Sequence, residues 1–215
     1  CPADATVNCD ADNSSAVTGS ASATDNCDAE ATVTENDSVA DGSCSQEKLI
    51  TRTWTATDDC GNSSSCDQIV TVVDDEAPVI ACPDDMTVEC APDISQAGCL
   101  ADLYDTAANT DTAVTGAATA TDNCDNAPAI IHSSAAASGS CPQEKVITRS
   151  WTATDACGNS SSCDQVITVA DNTGPTITCP AAATVNCEDD NSSAVTGTAS
   201  ATDNCDAEAT VTESD

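Results

Sequence analysis

Several stretches of the chain alternate between two kinds of position with a period of two. Threonines occupy every second position from Thr51 to Thr57, and the alternate positions are Ile50, Arg52, Trp54 and Ala56. A period of two is typical of a β-strand with one buried face. The pattern returns at 147–154, and a β-branched run follows each stretch, as in QIVTVVD. These segments are predicted to be strands, with Trp54 and Trp151 as core residues.

Turn residues separate the predicted strands. Clusters of Gly, Asn, Asp and Ser occur in TDNCD, CGNSSS and ADGS, and such clusters mark turns. A helical period is suggested only at 93–105. The pattern therefore predicts an all-β chain.

The chain repeats itself. Residues 1–37 and 179–215 differ at only five positions, and a middle copy begins at Cys82. This predicts two complete repeats, 1–80 and 81–177, with an insert at about 91–108 in the second, and the first part of a third repeat at 178–215. Repeats of this length with about seven short strands favour tandem immunoglobulin-like β-sandwich domains. Such repetition is typical of a long polymeric chain.

Cysteine content and charge narrow the class of protein. Sixteen cysteines in 215 residues, with three aromatic residues, indicate a disulfide-rich chain from an oxidising, extracellular location. The net charge of −33 argues against a nucleic-acid partner, and no apolar run is long enough for membrane insertion. This charge favours binding of divalent cations, although a solvated acidic surface is the alternative. A single histidine, His132, argues against both a zinc site and an enzyme.

The pattern CP…TV…ATDN…TWTATDxCGNxxSCxQxVTVxDxxxP resembles the hyalin repeat (HYR) module, which occurs in tandem in extracellular adhesive and surface proteins, including very long secreted bacterial ones. The resemblance covers nearly all of both complete repeats. The extra cysteines and the insert depart from it. It implies a cell-surface spacer or adhesion module with no chemistry of its own.

An immunoglobulin-like topology limits the cysteine pairing. It places the strands of the first repeat at 1–8, 16–24, 30–36, 49–57 and 66–74 and brings the cysteines at each end of the sandwich together. The pairs expected from it are Cys1–Cys66, Cys9–Cys44, Cys27–Cys60, Cys82–Cys163, Cys90–Cys141 and Cys124–Cys157. Local pairing such as Cys60–Cys66 is the alternative, because spacing alone does not define connectivity.

Four cysteines have no partner in this scheme. Cys99 is either a free thiol, an interchain bridge or a sign of altered pairing. Cys179, Cys187 and Cys205 are left without their partners, so that either the chain continues or another chain completes the third repeat.

The same topology collects acidic residues at the ends of the repeats. The linker after one repeat would meet the TDNC and TDxCGN loops of the next, and carboxylate oxygens are preferred Ca²⁺ ligands. The predicted calcium ligands are Asp25, Asp28, Asp58, Asp74, Asp75, Asp122, Asp125, Asp155, Asp171, Asp203 and Asp206. The alternative is that these residues only form Asx turns, since no EF-hand motif is present.

The sequence thus favours a structural protein, an extracellular fibre or cell-surface stalk stiffened by disulfides and by Ca²⁺ between repeats. Its partners would be copies of itself or further repeats of the same chain. An adhesin that binds a glycan or protein through the 91–108 insert or its loops is the alternative, and a passive acidic spacer without ions is a third hypothesis.

Overall fold

The structure is a computed structural model that describes residues 1–27, 30–89, 115–139, 144–206 and 209–214. Several sequence predictions fall outside these residues: the insert at 91–108 with Cys99, the calcium ligand Asp28, and the Cys90–Cys141 pair.

The described residues form an almost entirely β structure. The strands are β1 (Ala5–Asn8), β2 (Thr32–Asp41), β3 (Lys48–Thr57), β4 (Ser63–Val73), β5 (Val79–Ala81), β6 (Met86–Glu89), β7 (Thr119–Thr121), β8 (Ala129–Ser138), β9 (Lys145–Thr154), β10 (Ser160–Ala170), β11 (Thr176–Thr178) and β12 (Ser200–Thr202). Two four-residue helical turns, α1 (Ser15–Thr18) and α2 (Ser193–Thr196), accompany them. The disulfide-rich, all-β character predicted from the sequence is confirmed.

The first four-stranded sheet has the order β1-β4-β3-β2. Strand β1 runs parallel to β4, whereas β4, β3 and β2 are antiparallel neighbours. The pairing places Trp54 opposite Cys66 on one side and Glu35 on the other. Because side chains alternate across a strand, Ile50, Arg52 and Trp54 share the buried face of β3.

A second four-stranded sheet has the order β6-β10-β9-β8, and β6 is parallel to β10. Two short antiparallel pairs, β5 with β7 and β11 with β12, complete the strand pairing of the described residues. In each pair, one strand is the three residues directly before a Cys-Pro sequence. The other strand ends at the threonine of a TDNC sequence.

The apolar cores are small. Ile50, Val70 and Val72 form one buried cluster, and Ile147, Ile167 and Val169, together with Cys205, form another. A fully buried glutamine lies beside each cluster. The side-chain amide of Gln68 donates to the carbonyls of Ala3 and Thr18, both at 2.8 Å, and Gln165 donates to Asp84 and Thr115 in the same way.

The residues group into two compact units. One comprises Cys1–Ala81, Ala118–Ile131 and Trp151–Cys163, and the other the described residues of Cys82–Ala117, His132–Ser150 and Asp164–Asp215. These units do not follow the boundaries of the sequence repeats, so the division at 80/81 and 177/178 stays a prediction.

The strand predicted at 16–24 is absent from the first repeat. Its first residues form α1, and residues 19–24 form no strand. The hydroxyl of Thr18 in this turn accepts a hydrogen bond from the buried Arg52 guanidinium at 2.8 Å. Contacts distant in sequence therefore override the strand propensity of this segment.

The disulfides correct much of the predicted pairing. Cys1 bonds to Cys66, with 6.0 Å between the Cα atoms, as the sequence predicts. Cys9 bonds to Cys124 and not to Cys44, and Cys44 bonds to Cys157, so the predicted Cys9–Cys44 and Cys124–Cys157 pairs are wrong. The Cα separations of 5.9 and 5.0 Å lie within the normal range for disulfides.

The predicted Cys27–Cys60 bond is also wrong, because both cysteines are free and exposed. Cys205, predicted to lack a partner, is disulfide-bonded, whereas Cys179 and Cys187 are free. Cys82 and Cys163 are each disulfide-bonded, and their bond to one another stays a prediction. The corrected pairs join cysteines of neighbouring sequence repeats, because the ends of those repeats are brought together.

Candidate metal site

Three aspartates meet in the first compact unit, each directly after a strand. Asp74 follows β4, Asp122 follows β7 and Asp155 follows β9. One carboxylate oxygen from each lies within 4.8 Å of the others. This three-aspartate cluster (Asp74, Asp122 and Asp155) brings the end of the first sequence repeat to two loops of the second.

The TDNC loop orients Asp122. Its Oδ1 accepts the backbone amides of Cys124 at 2.9 Å and Asp125 at 2.8 Å, which is an Asx-type turn. Its Oδ2 is buried and accepts no hydrogen bond from the described residues. One oxygen thus organises the loop, and the other is left free of protein hydrogen bonds among the described residues.

The TDACGN loop orients Asp155, which is 6% exposed. Its Oδ1 accepts the backbone amides of Cys157 and Asn159, and its Oδ2 accepts the side-chain amide of Asn159 at 2.9 Å. Gly158 has φ +95°, a conformation that favours glycine and closes the turn. Although burial acts to raise the pKa of Asp155, these hydrogen bonds hold it below its ordinary value.

Asp74 is the least stabilised carboxylate of the cluster. It is 5% exposed, and neither of its oxygens accepts a well-formed hydrogen bond from the described residues. Burial, and then the negative charges of Asp155 and Asp122, raise the pKa of Asp74, and the backbone amide of Glu76 offsets only part of this effect. The side-chain amide of Asn159 donates to the Asp74 carbonyl at 3.0 Å and so positions its backbone.

Disulfides hold the elements that carry the cluster. The sulfurs of Cys9 and Cys124 lie within 4.8 Å of an Asp74 carboxylate oxygen, and since they are bonded to each other they are not thiolate ligands. Asn8 Oδ1 accepts a hydrogen bond from Asn123 at 3.1 Å beside this bond. The Cys44–Cys157 bond fixes the loop of Asp155.

A related arrangement occurs in the second unit. A carboxylate oxygen from Asp171 and one from Asp203 lie within 4.8 Å of each other and of the Cys205 sulfur. Asp203 repeats the geometry of Asp122: its Oδ1 accepts two backbone amides, and its Oδ2 is buried without a described partner. With Asp206, these two aspartates line a cavity of about 440 Å³.

The remaining predicted ligands lie elsewhere or serve the loops. Asp125 accepts the backbone amides of Ala127 and Ala156, and Asp75 is exposed and accepts a hydrogen bond from Asn8. Asp25 and Asp58 line another recess of the first unit, where each caps its own loop. Asp28 lies outside the described residues. The Asx turns that were the alternative interpretation are therefore present, yet at Asp122 the turn occupies only one carboxylate oxygen.

Sequence reasoning missed two parts of the site. It did not select Asn159, which bonds both Asp155 and Asp74, although its place in the repeated CGN motif is a signal. It also missed the disulfides that join neighbouring repeats.

Residues 1–72 match the family model for the HYR-like domain with 4 cysteines. No curated protein matches the chain.

Several solved structures of cadherin repeats are similar over part of their length. The chain shows 14% identity to Drosophila N-cadherin EC1-4, covering 79% of this chain and 48% of that one with a TM-score of 0.33. Protocadherin gamma B3 EC1-4 shows 15% identity, covering 61% of this chain and 34% of that one with a TM-score of 0.25. A cis-dimer structure of protocadherin gamma B7 EC3-6 shows 16% identity, covering 69% of this chain and 43% of that one with a TM-score of 0.27. The chain thus spans less than half the length of each.

The HYR-like match and the disulfides together favour an extracellular repeat protein of the adhesion type. In the part of the chain that the structure describes, the helices are too short to cross a membrane. The candidate site suits the binding of a cation.

Proposed function

We propose that the chain is a structural repeat protein of an extracellular fibre or cell-surface stalk, in which Ca²⁺ bound by the three-aspartate cluster ties one HYR-like repeat to the next. The observation that carries the proposal is Asp74, a buried carboxylate that accepts no well-formed hydrogen bond from the described residues and has two other carboxylates beside it. An ionised group in this position requires a compensating positive charge.

The spacing of the oxygens suits calcium. Ca²⁺–oxygen distances are about 2.3–2.6 Å, so two ligands on opposite sides of one ion are about 5 Å apart. The oxygens of the cluster lie within 4.8 Å of one another, and one ion can therefore contact all three.

The position of the ligands explains how binding would act mechanically. Asp74 belongs to the end of the first sequence repeat, and Asp122 and Asp155 belong to the second. An ion that binds all three restricts the motion of one repeat against the other. The Cys9–Cys124 and Cys44–Cys157 bonds span the same two repeats, so covalent and ionic links act together.

The test is calorimetry and calcium titration of the intact chain, with Ca²⁺ and with excess EGTA. We expect Ca²⁺ to raise Tm and to bind with heat changes that disappear in Asp74→Asn. Electron microscopy of longer assemblies should show straight particles in Ca²⁺ and flexible ones in EGTA. Asp75→Asn is the matched control, because Asp75 is the exposed neighbour with the same charge, and it should bind calcium as the unmodified chain does.

Three outcomes would count against the proposal. Equal melting in Ca²⁺ and EGTA would mean that the acidic residues are only a solvated surface. Equal loss of calcium binding in Asp74→Asn and Asp75→Asn would mean that binding depends on the net charge and not on the three-aspartate cluster. Binding without any change in particle stiffness would leave a calcium site but contradict its structural role.

A further inference from the structure

Two of the disulfides follow a rule that extends beyond the pairs themselves. Each joins a cysteine of the first sequence repeat to a loop cysteine of the second. Cys9 bonds to Cys124 in a TDNC loop, and Cys44 bonds to Cys157 in a TDACGN loop. The loop cysteines of the second repeat are therefore disulfide-bonded to cysteines of the preceding repeat.

The first repeat carries the same two loops. Cys27 lies in a TDNC loop and Cys60 in a TDDCGN loop. The loops have the same local hydrogen bonds as those of the second repeat: Asp25 accepts the amide of Cys27 at 2.8 Å, and Asp58 accepts the amide of Cys60 at 2.9 Å. Yet Cys27 and Cys60 are both free and exposed.

The acids beside these cysteines are also equivalent. Asp25 corresponds to Asp122, and Asp58 corresponds to Asp155. Both line one recess of about 400 Å³ in the first unit. The recess thus offers two of the three acids of a cluster, and the missing one corresponds to Asp74, which the end of a preceding repeat supplies at the cluster already described.

We propose that the loop face of Cys27 and Cys60 is a covalent docking surface for the end of a further HYR-like repeat, which presents cysteines equivalent to Cys9 and Cys44 and an aspartate equivalent to Asp74. Two disulfides form, one from Cys27 and one from Cys60. The fit to this partner rests on the second repeat, where both equivalent loop cysteines are bonded to such an end.

The chemistry of docking is an oxidation of thiols. For each bond, one thiol of this chain and one of the partner lose two protons and two electrons in total. The acceptor is a small disulfide such as oxidised glutathione, which becomes two thiols. An oxidising extracellular location supplies acceptors of this class.

The experiment adds a copy of residues 81–178 directly before Cys1 of the 215-residue chain. This sequence is suitable because it already precedes residues 179–215, which are nearly identical to 1–37. The extended and unextended chains are refolded in a glutathione buffer, free thiols are labelled with a maleimide, and non-reduced peptides are mapped by mass spectrometry. In the unextended chain Cys27 and Cys60 should both be labelled.

In the extended chain we expect Cys27 to be bonded to the Cys90 of the added copy and Cys60 to its Cys141, with labelling of both reduced at least tenfold. Changing these two cysteines of the added copy to serine should restore labelling. The Cys1–Cys66 peptide reports in every variant that the first repeat has folded. Labelling of Cys27 and Cys60 that persists in a folded extended chain would overturn the proposal, as would a Cys27–Cys60 peptide.

Repeating the refolding in EGTA separates this inference from the calcium proposal. Bonds that form equally in Ca²⁺ and EGTA support docking and show that it does not depend on the ion. If both bonds are absent in Ca²⁺ and also in EGTA, docking is overturned. The calcium titration of the three-aspartate cluster is unaffected by that result.

Discussion

Asp74 shows how a single residue can link proton binding to stability. Its pKa is raised from an ordinary value of 3.8 by burial and by Asp155 and Asp122. The folded state therefore binds this proton more tightly than the unfolded state, and without an ion the stability contributed at Asp74 is greatest below about pH 4 and falls as the pH rises. Calcium binds the ionised form, so its affinity changes with pH in the opposite direction.

From this sign we predict that Asp74→Asn raises Tm in EGTA at neutral pH, on the order of a few degrees. The neutral amide removes the buried charge and can donate to Asp122 and Asp155. The difference from the unmodified chain should shrink as the pH falls below about 4, where Asp74 is protonated. Calorimetry at a series of pH values measures this. A variant less stable than the parent at pH 7 in EGTA would contradict it.

Arg52 is a buried cation held by one carboxylate. It is 2% exposed, and its Nε and Nη2 donate to the two oxygens of Asp37 at 2.8 and 2.9 Å. The hydrogen bond from Arg52 holds the pKa of Asp37 below its ordinary value. This contribution is present above about pH 4 and is lost as the pH falls below it.

We predict that Asp37→Ser costs about 1–3 kcal/mol in the free energy of unfolding at pH 7, because it leaves the buried charge without its acid. The second repeat provides the control. There Arg149 faces Ser134, with 3.4 Å between Nε and Oγ, and Ser134→Asp should stabilise that repeat. Urea unfolding at pH 7 and pH 3 measures both variants. An Asp37→Ser cost that is the same at both pH values would count against the assigned pair.

At the scale of elements, the loop between β2 and β3 determines where Cys44 lies. The amide of Gly42 donates to the Glu47 carbonyl at 2.9 Å and closes the loop. A Cβ at Gly42 would lie 2.4 Å from the Cβ of Glu47, which is too close for any side chain. Gly139 and Glu144 show the same approach at 2.3 Å.

We therefore predict that Gly42→Ala destabilises the protein by about 1–3 kcal/mol and slows formation of the Cys44–Cys157 bond. Urea unfolding measures the first effect, and timed thiol labelling during refolding measures the second. Gly174→Ala is the control, because a Cβ there meets nothing within 4 Å. If both variants form the bond at the parent rate, the loop does not position Cys44.

The elements also show what the sequence could predict. Alternation of threonine with Ile50, Arg52 and Trp54 correctly predicted β3 and its buried face, because side-chain period is a local property. The strand predicted at 16–24 was wrong, since Thr18 is held in a turn by Arg52 and Gln68. Those two partners are distant in sequence, and no local pattern identifies them.

At the scale of the whole molecule, repetition itself hides the disulfide connectivity. Cys27 and Cys124 stand in the same TDNC surroundings, so a rule that pairs Cys9 with such a loop fits either repeat. Only the three-dimensional arrangement shows that the partner is Cys124. The same ambiguity affects the calcium site. The sequence could predict that acids of adjacent repeats meet, but it could not predict which acids form the complete set of ligands.

The disulfides between repeats should therefore control calcium affinity as well as stability. The Cys9–Cys124 bond lies beside Asp74 and joins the two repeats that supply the cluster. We predict that replacing both cysteines with serine weakens calcium binding about tenfold or more, because the acids lose their high effective concentration. Calorimetric titration measures the affinity.

The Cys1–Cys66 pair provides the matched control for this prediction. It closes a loop of 65 residues against 115 for Cys9–Cys124, and in the chain-entropy treatment the two losses differ by only about 0.5 kcal/mol. Serines at Cys1 and Cys66 should therefore lower stability by a similar 2–5 kcal/mol but change calcium affinity less than about twofold. Because stability falls equally in both variants, a difference in affinity reports the geometry of the cluster alone, and equal affinities would show that the cluster is positioned without the bond between repeats.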